Sequence, residues 1–249
     1  MDSQEFIYGR NSVKELLKQK PEFVGKLFIR QQLQGKAIRD LEALASSNRV
    51  PVQRVHGKKL AELVGPVNDQ GVVASVSMAE YLELNDWISR TDISTQPVVL
   101  ALDEIEDPHN FGALIRTAAA AGVAAVMVSK HRQAPLSGAV MKASAGIAIR
   151  MPVIRVVNIN QALLVLKESG YWICGTDMNG EQTIWQQKYD FPLVVIIGSE
   201  EKGIRRKTRE HCDMLVRIPM QNGVESLNAS VSGALICYEI LRQRQLHPV

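Results

Sequence analysis

The sequence from residue 97 onward alternates between short apolar runs and helical stretches, and this alternation limits the possible fold more than any other feature. The runs are apolar at nearly every position, which is typical of strands that are covered on both faces. Strands that alternate with helices in this way predict an α/β fold, with a parallel sheet and helices on both faces. The predicted strands are 97–103, 123–129, 152–156, 171–176, 192–198 and 214–219, and the predicted helices include 136–144, 159–168 and 226–244.

The first 77 residues carry their own pattern of short strand and helix signals. Strands are predicted over 26–30, 50–55 and 71–77, helices over 37–45 and 58–64, and an earlier helix with Asn11 and Ser12 as N-caps. Residues 78–96 are acidic and have little strand character, so they predict a linker with about one helical turn. The predicted organisation is a small α/β domain over 1–77, a linker over 78–96 and a larger domain over 97–249.

The composition excludes several classes of protein. Hydrophobic residues make up 46% and charged residues 22% of the 249 residues, which is ordinary for a globular chain and unlike a disordered or fibrous one. No apolar run approaches the ~18 residues of a membrane span, and the N-terminus is not basic and then apolar as in a signal peptide. Cys174, Cys212 and Cys237 are far apart, which argues against a zinc site and a disulfide framework. We expect a cytoplasmic protein with no membrane association and no metal.

The charge is small overall but unevenly placed. The net charge is +3, while residues 1–77 alone carry 12 Lys/Arg and 8 Asp/Glu. A basic N-terminal unit indicates a polyanionic partner such as a nucleic acid. The alternative, a solvated surface with a few extra lysines, explains the charge alone equally well.

Three segments rich in Gly, Asn, Ser, Glu and Arg directly follow predicted strands. They are DPHNFGALIRTAAAAG (107–122), IIGSEEKGIRRKTREHC (196–212) and IPMQNGVESLNASVSGAL (218–235). Ligands of open parallel sheets bind at the carboxyl ends of the strands, so these segments are expected to meet at one site. None contains GxxxxGK[ST] or GxGxxG, which argues against a nucleoside triphosphatase or an ordinary dehydrogenase.

Parts of these segments, NFGALIRTAAAAGV, VVIIGSEEKGI and IPMQNGVESLNASVS, resemble in order and spacing the three signature motifs of the SpoU (TrmH) family of RNA ribose 2'-O-methyltransferases, within the SPOUT superfamily. The N-terminal stretches IYGRNSVKELL and NDQGVVASV resemble the substrate-binding domain of members that methylate a guanosine of 23S rRNA. The resemblance implies S-adenosylmethionine as the methyl donor, a deep C-terminal trefoil knot, an N-terminal domain like ribosomal protein L30e, and a homodimer with the active site at its interface. The implied substrate is a guanosine 2'-hydroxyl in the peptidyl-transferase loop of 23S rRNA.

The motif residues of the family map onto five candidate catalytic positions, Asn110, Arg116, Glu200, Ser226 and Asn228. The resemblance implies that Arg116 binds the phosphate beside the target ribose and stabilises an alkoxide-like transition state. It implies that the other four hold the ribose, Arg116 or the loops in position. The alternatives are that Asn110 and Ser226 are only helix N-caps, that Arg116 is a solvated side chain, and that Glu200 belongs to a solvated acidic turn.

The same resemblance implies contacts to the cofactor. The candidate cofactor-binding residues are Gly198, Gly203, Ile218, Met220, Leu227 and Ser230. The two glycines allow the backbone to approach a ligand closely. The alternative for Ile218 and Leu227 is that they are ordinary core residues.

RNA binding is expected from basic residues of the N-terminal domain and of the second motif. The candidates are Arg10, Arg30, Arg54, Lys58, Lys59, Arg205 and Arg206. Asp69 stands where related proteins often carry a histidine before the QG pair. Three other functions stay open: the same chemistry on tRNA or another rRNA site, a non-catalytic RNA-binding ribosome-assembly factor with this fold, and an unrelated α/β nucleotide-binding enzyme.

Overall fold

The computed structural model describes residues 5–76 and 81–246. The strands in chain order are β1 (Glu5–Tyr8), β2 (Val24–Arg30), β3 (Val52–Val55), β4 (Val72–Val76), β5 (Val98–Asp103), β6 (Ala125–Ser129), β7 (Val153–Val156), β8 (Trp172–Thr176), β9 (Gln182–Thr183), β10 (Leu193–Gly198) and β11 (Met214–Arg217). The α-helices are α1 (Arg10–Gln19), α2 (Lys36–Ser47), α3 (Gly57–Val64), α4 (Leu84–Arg90), α5 (Pro108–Ala120), α6 (Gly138–Ala143), α7 (Ile159–Glu168), α8 (Arg206–Arg209) and α9 (Ala229–Leu246). Short 3-10 helices lie at Pro21–Phe23, Ile93–Thr95 and Ile147–Ile149.

The chain divides into two compact units, and it passes between them three times. One unit takes in Met1–Glu80 and Pro135–Arg150, and the other takes in Tyr81–Ala134 and Met151–Val249. The structure therefore differs from the predicted organisation in two segments, 81–96 and 135–150.

The first unit is a four-stranded sheet in the order β1-β4-β2-β3, in which only β2 and β3 are parallel. The predicted strands and helices of this segment are confirmed, with end shifts of a few residues. The predicted N-caps Asn11 and Ser12 are wrong, because α1 begins at Arg10 after Gly9 and both residues lie in its first turn. Ser12 is buried there.

Residues 135–150 belong to this first unit although the sequence places them in the larger domain. Gly138 begins α6 directly against β1, where a Cβ atom on Gly138 would lie 2.2 Å from the carbonyl oxygen of Phe6. Lys142 Nζ donates to the Asn68 carbonyl over 2.8 Å and lies 5.1 Å from the centre of the Tyr8 ring. Local periodicity predicts the helix correctly, but the unit on which it packs depends on contacts more than sixty residues away in sequence.

The second unit is a seven-stranded sheet in the order β7-β6-β5-β10-β8-β11-β9, and every strand pair in it is parallel. The predicted parallel α/β fold is confirmed. Strand β10 lies between β5 and β8, so the chain returns to the middle of the sheet after it has passed through β8. This order places the carboxyl ends of β5 and β10 side by side, with Asp103 paired to Gly198.

Helices cover both faces of this sheet. On one face, Val99, Ala101, Val194 and Ile196 share a buried apolar cluster with residues of α4 and α7. On the other face α5 packs on α9, and a Cβ atom on Gly233 would contact Leu114 of α5 and Ile197 of β10. The central strands β5, β6 and β10 are apolar at nearly every position because both of their faces are covered.

The described part of the predicted linker, 81–96, is a structural part of the second unit. Leu82 pairs with Ile154 beside β7, and α4 buries Leu84 and Trp87 in the apolar cluster. The Trp87 ring lies 6.2 Å from the Tyr171 ring, centre to centre. The acidic composition conceals a short amphipathic helix, because its few apolar residues recur at helical spacing. Residues 78–80 of the predicted linker lie outside the described residues.

Candidate functional site

Three side chains from the three predicted motif segments meet at the carboxyl edge of the larger sheet. Asn110 Nδ2 donates to Glu200 Oε1 over 2.7 Å, and Asn228 Nδ2 donates to the same oxygen over 2.8 Å. Asn228 Nδ2 also donates to Asn110 Oδ1 over 2.9 Å. The Ala229 N–H donates to Glu200 Oε1 as well, over 3.3 Å. One carboxylate oxygen therefore holds the starts of two helices together, which a solvated acidic turn would not do.

Asn110 is free to make this contact because another residue caps its helix. Pro108 is the first residue of α5, and the Asp107 side chain accepts from the N–H groups of His109 (3.0 Å) and Asn110 (3.4 Å). Asp and Pro at these positions are the usual start of a helix. The alternative that Asn110 is the N-cap is therefore wrong.

Asn228 caps the last helix and bridges to the site with the same amide group. Its Oδ1 accepts from Ser230 N over 2.9 Å, from Ser230 Oγ over 2.6 Å and from Val231 N over 3.4 Å. Its Nδ2 is left to bind Asn110 and Glu200. Ser226 is not the cap of this helix, because α9 begins at Ala229.

A cavity of about 820 Å³ opens beside this cluster, and Glu200 belongs to both. This volume is in the range of small-molecule sites. Five of the six predicted cofactor-binding residues line the cavity: Gly198, Gly203, Ile218, Met220 and Leu227. The sixth, Ser230, does not line it, and its side chain binds Asn228 instead. Ile218 and Leu227 are only partly buried, so they are wall residues of the cavity and not ordinary core residues.

The backbone itself forms one wall of the cavity. A Cβ atom on Gly198 would lie 2.1 Å from the carbonyl carbon of Gly203 and 2.3 Å from Ile204 N. No side chain fits between these two stretches, so position 198 requires glycine. Gly203 has a φ of +61° and its N–H donates to the Ser199 carbonyl over 2.8 Å, which closes the turn that carries Glu200.

Arg116 and Ser226, the other two predicted catalytic residues, lie at the surface. Both side chains are exposed, and neither makes a hydrogen bond or ion pair with another described residue. Ser226 lines the cavity, whereas Arg116 and the two asparagines do not. The structure thus joins Asn110, Glu200 and Asn228 directly, adds Ser226 through the cavity wall, and leaves Arg116 open to solvent.

The predicted RNA-binding residues differ in the partners of their charges. Arg30 pairs with Asp69 (3.1 Å), Arg54 with Glu42 (2.7 Å), Lys59 with Glu62 (3.3 Å), Arg205 with Asp103 (2.6 Å) and Arg206 with Glu210 (3.1 Å). Arg10 Nε donates to the Gln70 carbonyl over 3.3 Å. Lys58 is exposed and has no such partner among the described residues. Asp69 is buried and accepts the Gly71 N–H over 2.5 Å, so it closes the turn before β4.

Sequence reasoning did not single out two charged residues of the cavity wall, Asp177 and Arg217. Asp177, with 4% of its side chain exposed, pairs with Arg209. Arg217 Nη1 donates to the carbonyl oxygens of Gly180 and Glu181, at 2.5 and 2.8 Å. Asp177 directly follows β8, so the rule that placed the other loops at the carboxyl ends of strands was a signal for it.

The cysteines take no part in this arrangement. Burial raises the pKa of Cys237 to about 12, and burial together with the Asp213 carboxylate raises the pKa of Cys212 to about 12. Burial also raises the pKa of Cys174. Thiols with such pKa values stay protonated and are poor nucleophiles. The described residues contain no group of three or more His, Cys, Asp or Glu that could hold a metal.

Two family profiles match this chain. One, described as the SpoU rRNA methylase family, matches residues 97–238, and the other, RNA 2'-O ribose methyltransferase substrate binding, matches residues 6–82. Nearly the whole chain aligns with proteins named 23S rRNA (guanosine-2'-O-)-methyltransferase RlmB. The protein from Pseudomonas putida is 42% identical over 99% of both chains, and that from Escherichia coli is 38% identical over 96% of this chain and 99% of its own.

Solved structures share the fold. A crystal structure of an RNA 2'-O ribose methyltransferase superposes with a TM-score of 0.82 at 26% identity, over 98% of this chain and 91% of the other. The SpoU methyltransferase AviRb from Streptomyces viridochromogenes, solved in complex with AdoMet, gives a TM-score of 0.82 at 24% identity, over 97% and 91%. The SpoU rRNA methylase profile covers more than half of this chain, and relatives near 40% identity align with it from end to end. The chain therefore belongs to the SpoU rRNA methylase family.

Proposed function

We propose that this protein transfers a methyl group from S-adenosylmethionine to the ribose 2'-hydroxyl of a guanosine in the peptidyl-transferase loop of 23S rRNA. The observation that carries the proposal is the direct contact of Asn110, Glu200 and Asn228 at the rim of the 820 Å³ cavity. Similarity to the RlmB proteins over nearly the full length supports the rRNA substrate.

The cavity wall suits an adenosyl group. An adenine ring needs apolar contacts on its faces and hydrogen-bonding groups at its edge. Ile218, Met220 and Leu227 supply apolar side chains, and residues 218–228 lie outside helices and strands, so their main-chain groups are not used in a ladder. At Gly198 the absence of a side chain leaves the backbone itself as the wall. When bound, S-adenosylmethionine supplies an electrophilic methyl group on a positively charged sulfur.

The protein's task is to orient a weak nucleophile and to assist the loss of its proton. Arg116 is exposed and has no described partner, so its guanidinium is available for the phosphate beside the target ribose. A cation at that place stabilises negative charge that develops on the attacking oxygen. Arginine holds its own proton too strongly to be an effective base.

Glu200 and the two asparagines position the site. Glu200 Oε1 accepts three hydrogen bonds that fix the first turn of α5, the start of α9 and its own turn relative to one another. Arg116 lies on α5, so these hydrogen bonds also fix the position of the helix that carries it. Ser226 is part of the cavity wall.

The first unit supplies RNA contacts. Lys58 and Arg10 present charge that no described carboxylate neutralises. In the second unit, Arg206 has 92% of its side chain exposed beside its Glu210 partner. Arg30, Arg54 and Lys59 share their charge with Asp69, Glu42 and Glu62, so each contributes less to a phosphate contact.

An apolar stripe on α9 supports the homodimer that is part of this proposal. Val231, Leu235 and Tyr238 recur at helical spacing, and each exposes between 37 and 51% of its surface. A second copy that covers this stripe would remove it from water. Light scattering of the purified protein measures its mass, and a monomer at working concentrations would contradict the dimer.

A trefoil knot in the C-terminal part and an L30e-like first unit are also part of this proposal. The return of β10 between β5 and β8 supports the knot. The mixed sheet flanked by α1, α2 and α3 supports the L30e-like unit. An experimental structure whose backbone contains no knot would contradict this part of the proposal.

The test is incubation of the purified protein with methyl-labelled S-adenosylmethionine and either unmodified 23S rRNA or unmodified tRNA, followed by nucleoside mapping. We expect label on the 2'-oxygen of one guanosine of 23S rRNA. Label on tRNA or another rRNA site would keep the chemistry and change the substrate. RNA binding without transfer would favour the non-catalytic assembly factor.

A further inference from the structure

We propose that Asp103 and Arg205 are positioning residues that hold the turn carrying Glu200 in its active geometry, and that Arg205 is not an RNA-binding residue. The inference rests on the function proposed above and extends it to residues outside the cavity wall.

Asp103 is the last residue of β5, and its side chain is fully buried. Three donors of Arg205 reach it: Arg205 N donates to Oδ2 over 3.0 Å, Nε donates to Oδ1 over 2.8 Å, and Nη2 lies 2.6 Å from Oδ1. The carboxylate thus binds both the main chain and the planar fork of one arginine. Such a paired, hydrogen-bonded arrangement is what a buried charge requires.

This contact closes the base of a short turn. Residues 199–203 are joined at the neck by the Gly203 N–H bond to the Ser199 carbonyl, and Glu200 lies inside the turn. The turn enters from Gly198, which pairs with Asp103 in the sheet, and it leaves through Ile204, which is 2% exposed, to Arg205. Asp103 therefore fixes both ends of the segment that presents Glu200 and the backbone wall of the cavity.

The neighbouring Glu104 extends the same network to a third loop. Its carboxylate lies 3.2 Å from Arg132 Nη1 and 3.5 Å from Arg205 Nη1. Glu104 and Arg132 have φ values of +65° and +52°. This left-handed backbone conformation is unfavourable for every residue that has a Cβ atom. Non-glycine residues keep such a conformation where surrounding contacts enforce it, and they concentrate at functional sites.

These contacts give Arg205 a different environment from that of its neighbour Arg206. The Arg205 guanidinium faces two carboxylates, both nearly buried, whereas Arg206 is almost fully exposed. An arginine that already neutralises a buried carboxylate has little charge left for a phosphate. Its value to the reaction lies in the position of Glu200.

The test uses Arg205→Lys, which keeps the positive charge but loses the fork that binds Asp103 through two nitrogens. The matched control is Arg242→Lys, which breaks a similar two-nitrogen pair with the buried Glu239 on α9, away from the cavity. Cofactor affinity by calorimetry, kcat, and RNA affinity as a function of salt are measured for both variants. Asp103→Asn is a second variant, and trypsin cleavage after Lys202 and Arg206 in the unliganded protein reports on the turn.

We expect Arg205→Lys and Asp103→Asn to weaken cofactor binding about tenfold, to lower kcat at least about tenfold, and to speed cleavage in the turn. Their RNA affinity and its salt dependence stay at wild-type values, and Arg242→Lys changes none of these. Weaker RNA binding with normal cofactor affinity and kcat would make Arg205 an RNA contact and overturn the inference. Reduced thermal stability with unchanged kcat and cofactor affinity would overturn it as well. If the wild-type protein binds the cofactor but methylates no RNA, the proposed function fails, while cofactor affinity and cleavage rate still decide this inference.

Discussion

Asn228 Nδ2 lies 2.9 Å from Asn110 Oδ1, although 118 residues separate the two asparagines along the chain. Both amides converge on Glu200 Oε1, so the three motif segments share one hydrogen-bonded cluster. The same Asn228 caps α9 through its oxygen, which couples the geometry of the site to the start of a long helix.

Replacement of Asn228 separates these two roles. Asn228→Ser and Asn228→Asp keep a capping oxygen but lose the amide donors to Asn110 and Glu200, so we expect kcat to fall about 10²-fold, as for loss of a preorganised polar contact. Asn228→Ala also loses the cap, which costs about 1 kcal/mol more in unfolding free energy. Urea denaturation and single-turnover methylation measure the two effects. Wild-type kcat in Asn228→Ser would remove the bridge from the mechanism.

Arg116→Ala tests the exposed cation on α5. The side chain has no described partner, so we expect the unfolding free energy to change by less than about 0.5 kcal/mol. Loss of its charge at the target phosphate should lower kcat about 10²-fold or more while cofactor affinity stays within twofold. Kinetics and calorimetry check this, with Arg116→Lys as the charge-preserving control. An alanine variant of normal activity would leave Arg116 without a catalytic role.

Gly198→Ala and Gly203→Ala test the backbone wall. The first places a methyl group about 2 Å from the main chain of Gly203, and overpacking of this kind costs about 1–3 kcal/mol or more. The second has open space around its Cβ but a φ of +61°, which costs about 1–2 kcal/mol. We expect cofactor binding to be lost in Gly198→Ala and only weakened in Gly203→Ala. Calorimetry on the folded variants measures this, and equal affinities would contradict it.

Lys58 and Lys59 are a matched pair for RNA binding. Both are exposed, but only Lys59 has a carboxylate partner, Glu62 at 3.3 Å. We expect Lys58→Ala to reduce the slope of log affinity against log salt by about 0.7–0.9, the contribution of one phosphate contact, and Lys59→Ala to reduce it less. Filter binding of the target RNA across a salt series gives both slopes. Equal slopes for wild type and Lys58→Ala would move the RNA surface elsewhere.

Glu239 predicts an acid-sensitive contribution to stability. Hydrogen bonds from Arg242 and Gln243 hold the pKa of this buried carboxyl below its usual 4.5. A carboxyl whose pKa is lower in the folded than in the unfolded state adds stability above the unfolded value, and loses it as the pH falls through the folded value. The stability advantage of the wild type over Glu239→Gln should thus be full above about pH 5 and shrink as the pH falls through the folded pKa. Urea titrations over this range measure it, and a constant difference would contradict the assignment.

Local patterns in the sequence predict most of the helices and strands, and they predict that the strands of the larger sheet are parallel. Helix α7 spans Ile159–Glu168, as its periodicity predicts, because Asn158 caps it and its apolar residues recur on one face. The sequence predicts only about one helical turn where α4 lies, because the helix is short and its neighbouring residues are acidic. Its burial depends on β7, about seventy residues away.

The site was predictable in its members but not in its contacts. The motif residues Asn110, Glu200 and Asn228 could be named, whereas their shared oxygen follows from the insertion of β10 between β5 and β8. The pairing of Arg205 with Asp103, 102 residues apart, was likewise invisible, so a basic run suggested RNA contact where the structure has an internal ion pair. Such long-range pairing depends on the sheet order, which local patterns do not encode.

The passage of 135–150 into the first unit limits how this protein can be recombined with its relatives. A chimaera joined only near residue 80 would bring a foreign β1 against the native Gly138, whose fit depends on the main chain at Phe6. It would also separate Lys142 from Asn68 and Tyr8. Exchange of the first unit between family members therefore requires that residues 1–80 and 135–150 be moved together.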